Sequence, residues 1–80
     1  MKVHVRYFAS FRDITGLSEE DVYLDEGSSV EQLVEALKRE HETLSSLTRI
    51  NVAVNNEFAK PETVIKANDR VALFPPVSGG

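Results

Sequence analysis

The chain has 80 residues, 41% of them apolar and 28% charged, with a formal net charge of −4 and no cysteine. A chain this short buries only about 60% of its unfolded surface, so it holds one domain and has no room for a deep catalytic cleft. The composition is globular rather than disordered or membrane-spanning. The acidic balance argues against nucleic acid, and the missing cysteines exclude disulfides, persulfides and thiolate metal sites.

Met1-Lys2-Val3-His4 enters a strand pattern directly, with no signal-peptide block, so cytoplasm is the expected location. Val3, Val5 and Tyr7 alternate with Lys2, His4 and Arg6, the period of a half-buried strand. Phe8 follows out of phase, and Ala9 to Gly16 reads as a short helical turn closed by glycine. Val22 and Leu24 flank Tyr23 in a second strand that Asp25-Glu26-Gly27 ends, and the carboxylates of Glu19, Glu20, Asp21, Asp25 and Glu26 read as a solvated rim.

The main helix opens at Ser29, where Ser29-Val30-Glu31-Gln32 fits a capping box. Val30, Leu33, Val34 and Leu37 then form one apolar stripe. Ile50, Val52 and Val54 give a third strand, and Asn55-Asn56 turns it into a short fourth segment around Phe58. Pro61 breaks the chain, Thr63-Val64-Ile65 adds an apolar patch, and Asn68-Asp69 turns into a last strand. There Val71 and Leu73 face in while Arg70, Ala72 and Phe74 face out. Strands bracketing one helix that needs a sheet to cover its stripe make an α+β two-layer domain.

A conventional active site is not legible. His4 and His41 have no ligand-spaced partners, so no metal site is expected. The serines lack a nucleophile-elbow context, and the glycines are too scattered for a phosphate loop. The group with distinctive surroundings is the carboxylate of Gly80, reached through Phe74-Pro75-Pro76-Val77-Ser78-Gly79-Gly80. Pro75 and Pro76 stiffen an extended exit, and Gly79 and Gly80, without Cβ atoms, suit a narrow channel. A carboxylate is a poor acyl donor. A separate ATP-using enzyme can convert it to an acyl-adenylate, and a sulfur nucleophile can then leave a thiocarboxylate. Phe8, Phe58 and Phe74, all turned outward, suggest a partner patch. Arg12 is a candidate rim ion pair.

Tyr7-Phe8-Ala9, Phe11-Arg12-Asp13, Val52-Ala53-Val54-Asn55 and the run from Asn68 to Gly80 resemble the molybdopterin synthase small subunit family, across the whole chain. That resemblance implies a β-grasp (ubiquitin-like) fold, a mixed sheet of four to five strands packed on one main helix. Its first and last strands would be parallel neighbours at the centre. Residues 1–74 would form the domain and 75–80 an extended tail. It also implies a sulfur carrier with no bound cofactor, whose Gly80 is charged by a ubiquitin-activating-type adenylating enzyme that uses ATP. The tail from Pro75 to Gly80 would enter the large synthase subunit and deliver sulfur to cyclic pyranopterin monophosphate, in a heterotetramer. Phe8, Phe58 and Phe74 would form the contact, and Arg12 would pair with an acidic partner residue. No nucleic acid or membrane partner is expected. A sulfur carrier for thiamine, cysteine or tRNA thiolation, and a ubiquitin-like protein modifier, remain open as alternatives.

Overall fold

Alternation on the first strand decides what the rest of the chain packs against. In the computed structural model, which describes residues 1–47 and 49–76, β1 (Lys2–Tyr7) buries Val3, Val5 and Tyr7 completely or nearly so. Six further elements follow: α1 (Ser10–Thr15), β2 (Glu19–Tyr23), α2 (Val30–Glu40), β3 (Asn51–Val54), β4 (Glu57–Phe58) and β5 (Arg70–Phe74), with a 3₁₀ turn at Glu42–Leu44. The sheet order is β2-β1-β5-β3-β4. β1 and β5 are parallel, Val5 opposite Val71 and Tyr7 opposite Leu73, and the other pairings are antiparallel. Five mixed strands curled over one main helix are the β-grasp arrangement, as the resemblance implied.

The α2 helix is built as its sequence specifies. Ser29 Oγ accepts from the Gln32 N–H, and Gln32 Oε1 accepts from the Ser29 N–H at 2.8 Å. The remaining first-turn donors, which no helix satisfies internally, go outside: Val30 donates to the Thr63 carbonyl and Glu31 to that of Pro61, each at 2.9 Å. The segment after Pro61 therefore holds the helix start, and Ile65 anchors that segment in the core. Val30, Leu33 and Leu37 close the layer against Val3, Val5, Val52, Val71 and Leu73. Each such side chain contributes about 1.5–3 kcal/mol by leaving water.

Turns follow residue chemistry. Asn55 and Asn56 take φ of 51° and 70°, the left-handed pair that matches the twist of a two-residue hairpin. Asn55 Oδ1 accepts from the Arg70 N–H, fastening this turn to β5. Gly16, at φ 76°, closes α1 by donating to the Arg12 carbonyl at 2.8 Å.

One expectation needs correction. β2 begins at Glu19, so Glu19, Glu20 and Asp21 are strand residues rather than a rim. Alternation turns Glu20 toward the helix side, where its Oε2 accepts from the Tyr7 hydroxyl at 2.5 Å and meets His41 Nε2 at 2.6 Å. His41 is the residue that ends α2, and its ring stands edge-on to Tyr7. Arg12 lies in α1, within the helical turn read between Ala9 and Gly16.

Two outcomes check this architecture. Ser29→Ala should lower unfolding stability by about 1 kcal/mol in urea with an unchanged m-value. Burial first, and the bond to Glu20 second, push the Tyr7 phenol well above its ordinary value of 10.0. Folding thus favours protonated Tyr7, whose contribution is intact below the ordinary value and declines as pH climbs above it. In Tyr23→Phe, where Tyr7 is the remaining tyrosine, tyrosinate absorbance should rise only together with loss of the folded circular dichroism signal. A rise in a still-folded protein near pH 10 would contradict it.

Candidate functional site

The outer face of the sheet, away from α2, carries the three phenylalanines that sequence reading singled out. Parallel pairing puts the ends of β1 and β5 at one edge of this face. Phe8 there donates its N–H to the Leu73 carbonyl at 3.0 Å. Ala9, at φ 53°, then swings the chain off the sheet into α1. A positive φ is costly for a residue with a Cβ, so the corner is held by its surroundings. Phe8 stays 39% exposed, and the Arg6 guanidinium lies 5.2 Å from its ring centroid.

The other two aromatics meet. Phe58 and Phe74 stack edge to face with centroids 5.6 Å apart. Phe58 is 82% exposed, while Phe74 is half-buried, and Pro75 beside it is half-buried as well. Register explains the floor between them. Arg6 pairs with Ala72, Ala72 with Ala53, and Ala53 with Phe58, so two alanines lie in a row between an arginine and a phenylalanine. The result is a shallow apolar surface with aromatic walls, beside the point where Pro75 and Pro76 leave the sheet.

All three phenylalanines therefore fall on the solvent side of the sheet, and Arg12 is exposed on α1 with no ion pair among the described residues. Val77, Ser78, Gly79 and Gly80 lie outside the described residues. Sequence reading missed Arg6, Ala53 and Ala72. Alternation had already turned Arg6 and Ala72 to this face, but alanines advertise nothing until the neighbouring rings frame them.

The far half of the same face is charged. His4 bridges Glu19 Oε1 at 3.1 Å and Asp21 Oδ1 at 3.0 Å. Among the described residues no group of His, Cys, Asp and Glu is placed to hold a metal ion, and no helix is long and apolar enough to cross a membrane. The hydrogen bond to His4 is the main cause that holds the Asp21 carboxyl below its ordinary value, with the charges of Lys2 and His4 assisting against slight desolvation. A depressed carboxylate contributes stability that is present above its unfolded value and lost as pH falls through its folded one. An NMR titration of Asp21 should thus show a midpoint below 3.8, and His4→Ala should raise it. An unchanged midpoint in His4→Ala would remove His4 as the cause.

Comparison with known proteins gives a consistent set. The ThiS family model matches residues 5–80. The molybdopterin synthase sulfur carrier subunit of Chlamydomonas reinhardtii is 35% identical over 100% of both chains. Small archaeal modifier protein 1 of Haloferax volcanii is 33% identical over 94% of this chain and 97% of its own. Among solved structures, a candidate molybdopterin converting factor subunit 1 of Pyrococcus furiosus superposes with a TM-score of 0.91 at 36% identity, covering 96% of this chain and 99% of that one. A chain from the complex of subunits 1 and 2 of the Helicobacter pylori molybdopterin-converting factor superposes with a TM-score of 0.70 at 27% identity, with 100% of each chain covered.

Proposed function

Because the chain belongs to the ThiS family, we propose that it is a sulfur carrier subunit of molybdopterin synthase, with the Gly80 carboxylate as its reacting group. End-to-end correspondence with a carrier subunit is the observation that carries this reading. The geometry supports it, because β5 delivers the chain to Pro75 and Pro76 beside an exposed aromatic surface. The Helicobacter complex of subunits 1 and 2 supports a large subunit as the partner.

The chemistry needs no catalytic side chain in the carrier. A Gly80 carboxylate oxygen attacks the α-phosphorus of ATP inside an adenylating enzyme of the ubiquitin-activating type, and pyrophosphate leaves. A sulfide equivalent then attacks the acyl carbon, the bond to AMP breaks, and a thiocarboxylate remains. In the large subunit the carbon–sulfur bond breaks as sulfur passes to cyclic pyranopterin monophosphate, and water restores the carboxylate. Phe8, Phe58 and Phe74 seat the domain on the partner, in a heterotetramer of two small and two large subunits. Arg12 supplies a rim ion pair with an acidic partner residue. Pro75 to Gly80 enter the active site. The cycle runs in the cytoplasm, and ATP is consumed by the activating enzyme rather than bound by the carrier.

Likeness to the archaeal modifier favours one second reading, in which Gly80 ends in an isopeptide bond to lysine. One incubation separates the two. With ATP, the adenylating enzyme and a sulfur donor, intact mass should shift by the exchange of one oxygen for sulfur. Higher-mass conjugates on a denaturing gel, without that shift, would establish the modifier instead. Deleting Gly80 should abolish charging without changing the fold.

Two substitutions refine the reading. Gly79→Ala should slow charging and delivery by up to about a hundredfold, because a misplacement near 1 Å at a reacting centre has that effect. Near-normal rates would make the diglycine a mere spacer. Phe58→Asp should weaken binding to the large subunit by about 2 kcal/mol or more, as for a central aromatic anchor. At 82% exposure it should leave the melting temperature nearly unchanged. Unaltered affinity would move the contact off this face.

A further inference from the structure

The two edges of the sheet differ. β4, at one end, has two residues, while β2, at the other, has five and among the described residues pairs with β1 alone. The pairing phase is fixed by its ends: Tyr7 donates to the Ser18 carbonyl, and Leu24 donates to that of Met1. Antiparallel ladders alternate bonded and non-bonded pairs, so Ser18, Glu20, Val22 and Leu24 turn their backbone groups toward β1. Glu19, Asp21 and Tyr23 therefore turn theirs outward. Among the described residues no hydrogen bond engages those N–H and C=O groups. A full-length open edge of this kind is a template for another strand.

The surroundings say which strand. Beside the edge, on the helix side, runs a shallow trough of ≈ 290 Å³ floored by Val22, Ala36 and Leu37 and ended by Glu20 and Glu40. A second hollow, which shares Tyr23 and Ala36 with it, is lined also by Leu24, Asp25 and Glu35, with Arg39 as the cation in its lining. On the other side stand Glu19 and Asp21, each about half exposed. His4 takes one oxygen of each, leaving the second without a partner among the described residues. A strand added here would place alternate side chains over the apolar floor and the intervening ones beside carboxylates.

We propose that the β2 edge is a second docking surface, which takes an extended, lysine- or arginine-bearing segment of a partner protein as a sixth strand. Backbone pairing with Glu19, Asp21 and Tyr23 holds the segment. Apolar residues at every second position rest on Val22 and Ala36, and basic residues between them meet Glu19 and Asp21. The aromatic surface around Phe58 lies toward the opposite edge of the sheet, so the two surfaces are separate and can be occupied together. This inference does not depend on the sulfur-carrier reading.

The test uses the full chain, isotope-labelled, with a blocked octapeptide of alternating lysine and valine as probe and its glutamate–valine counterpart as control. The expected result is that amide shifts cluster at 19–24 and 36–40 with the lysine peptide only. Exchange of the Glu19, Asp21 and Tyr23 amides should slow by about tenfold or more as they become paired. Ala36→Lys, at a half-buried floor position on α2, should weaken the peptide about tenfold by filling the floor with like charge, leaving the strand untouched. Shifts centred on Phe58 and Phe74, equal response to the acidic peptide, no binding, or full affinity in Ala36→Lys would each overturn the proposal.

Discussion

The parallel contact between β1 and β5 is the constraint on which the rest depends. Those strands are far apart in sequence, yet Val5 faces Val71 and Tyr7 faces Leu73 at the centre of the sheet, with every one of these side chains buried. A parallel pair cannot be closed by a hairpin, so the chain between must travel over one face and return. α2 makes that journey, and its stripe of Val30, Leu33 and Leu37 becomes the second wall of the core. The same contact sets the two chain exits side by side. Phe8 leaves β1 where Phe74 leaves β5, which is why an aromatic surface and the two prolines at 75 and 76 share one corner.

Small proteins without disulfides or metals must find stability in a core of few residues. Here the polar groups at the edge of that core are also matched. The first-turn donors of α2 find carbonyls from Thr63 and Pro61, and Tyr7, Glu20 and His41 close a hydrogen-bonded cluster at the helix end. Glu20 Oε2 lies 2.6 Å from His41 Nε2, so one carboxylate oxygen ties the end of α2 to both β1 and β2. No buried side-chain nitrogen or oxygen among the described residues lacks a partner. With the interior settled, the solvent face is free to be specialised, charged around His4 and apolar around Ala53 and Ala72.

That division fits the proposed role of a carrier. In the proposed function the chemistry falls to a partner's active site, and the contribution of this domain is recognition. Two alanines in one cross-strand row leave space that larger side chains would fill, while Phe58 and Phe74 rise at its side. Arg6 over Phe8 closes the opposite wall.

Much of this was determined by the sequence itself, because its signals are local. The alternation at Val3, Val5 and Tyr7, the capping box at Ser29, the paired asparagines at 55 and 56 and the outward phase of Phe8 and Phe74 depend on neighbours a few residues away. Sheet order and the β-grasp topology came from family likeness, since periodicity does not say which strand lies beside which. Tertiary structure alone decided the rest. Glu20 looked like one carboxylate among several, and only the crossing of β1, β2 and the end of α2 made it the acceptor for Tyr7 and His41, 13 and 21 residues away. Arg6, Ala53 and Ala72 became a surface only when three strands aligned in register. Such contacts arise from long-range pairing, whose geometry is set by the whole core and leaves no trace in the spacing of a single segment.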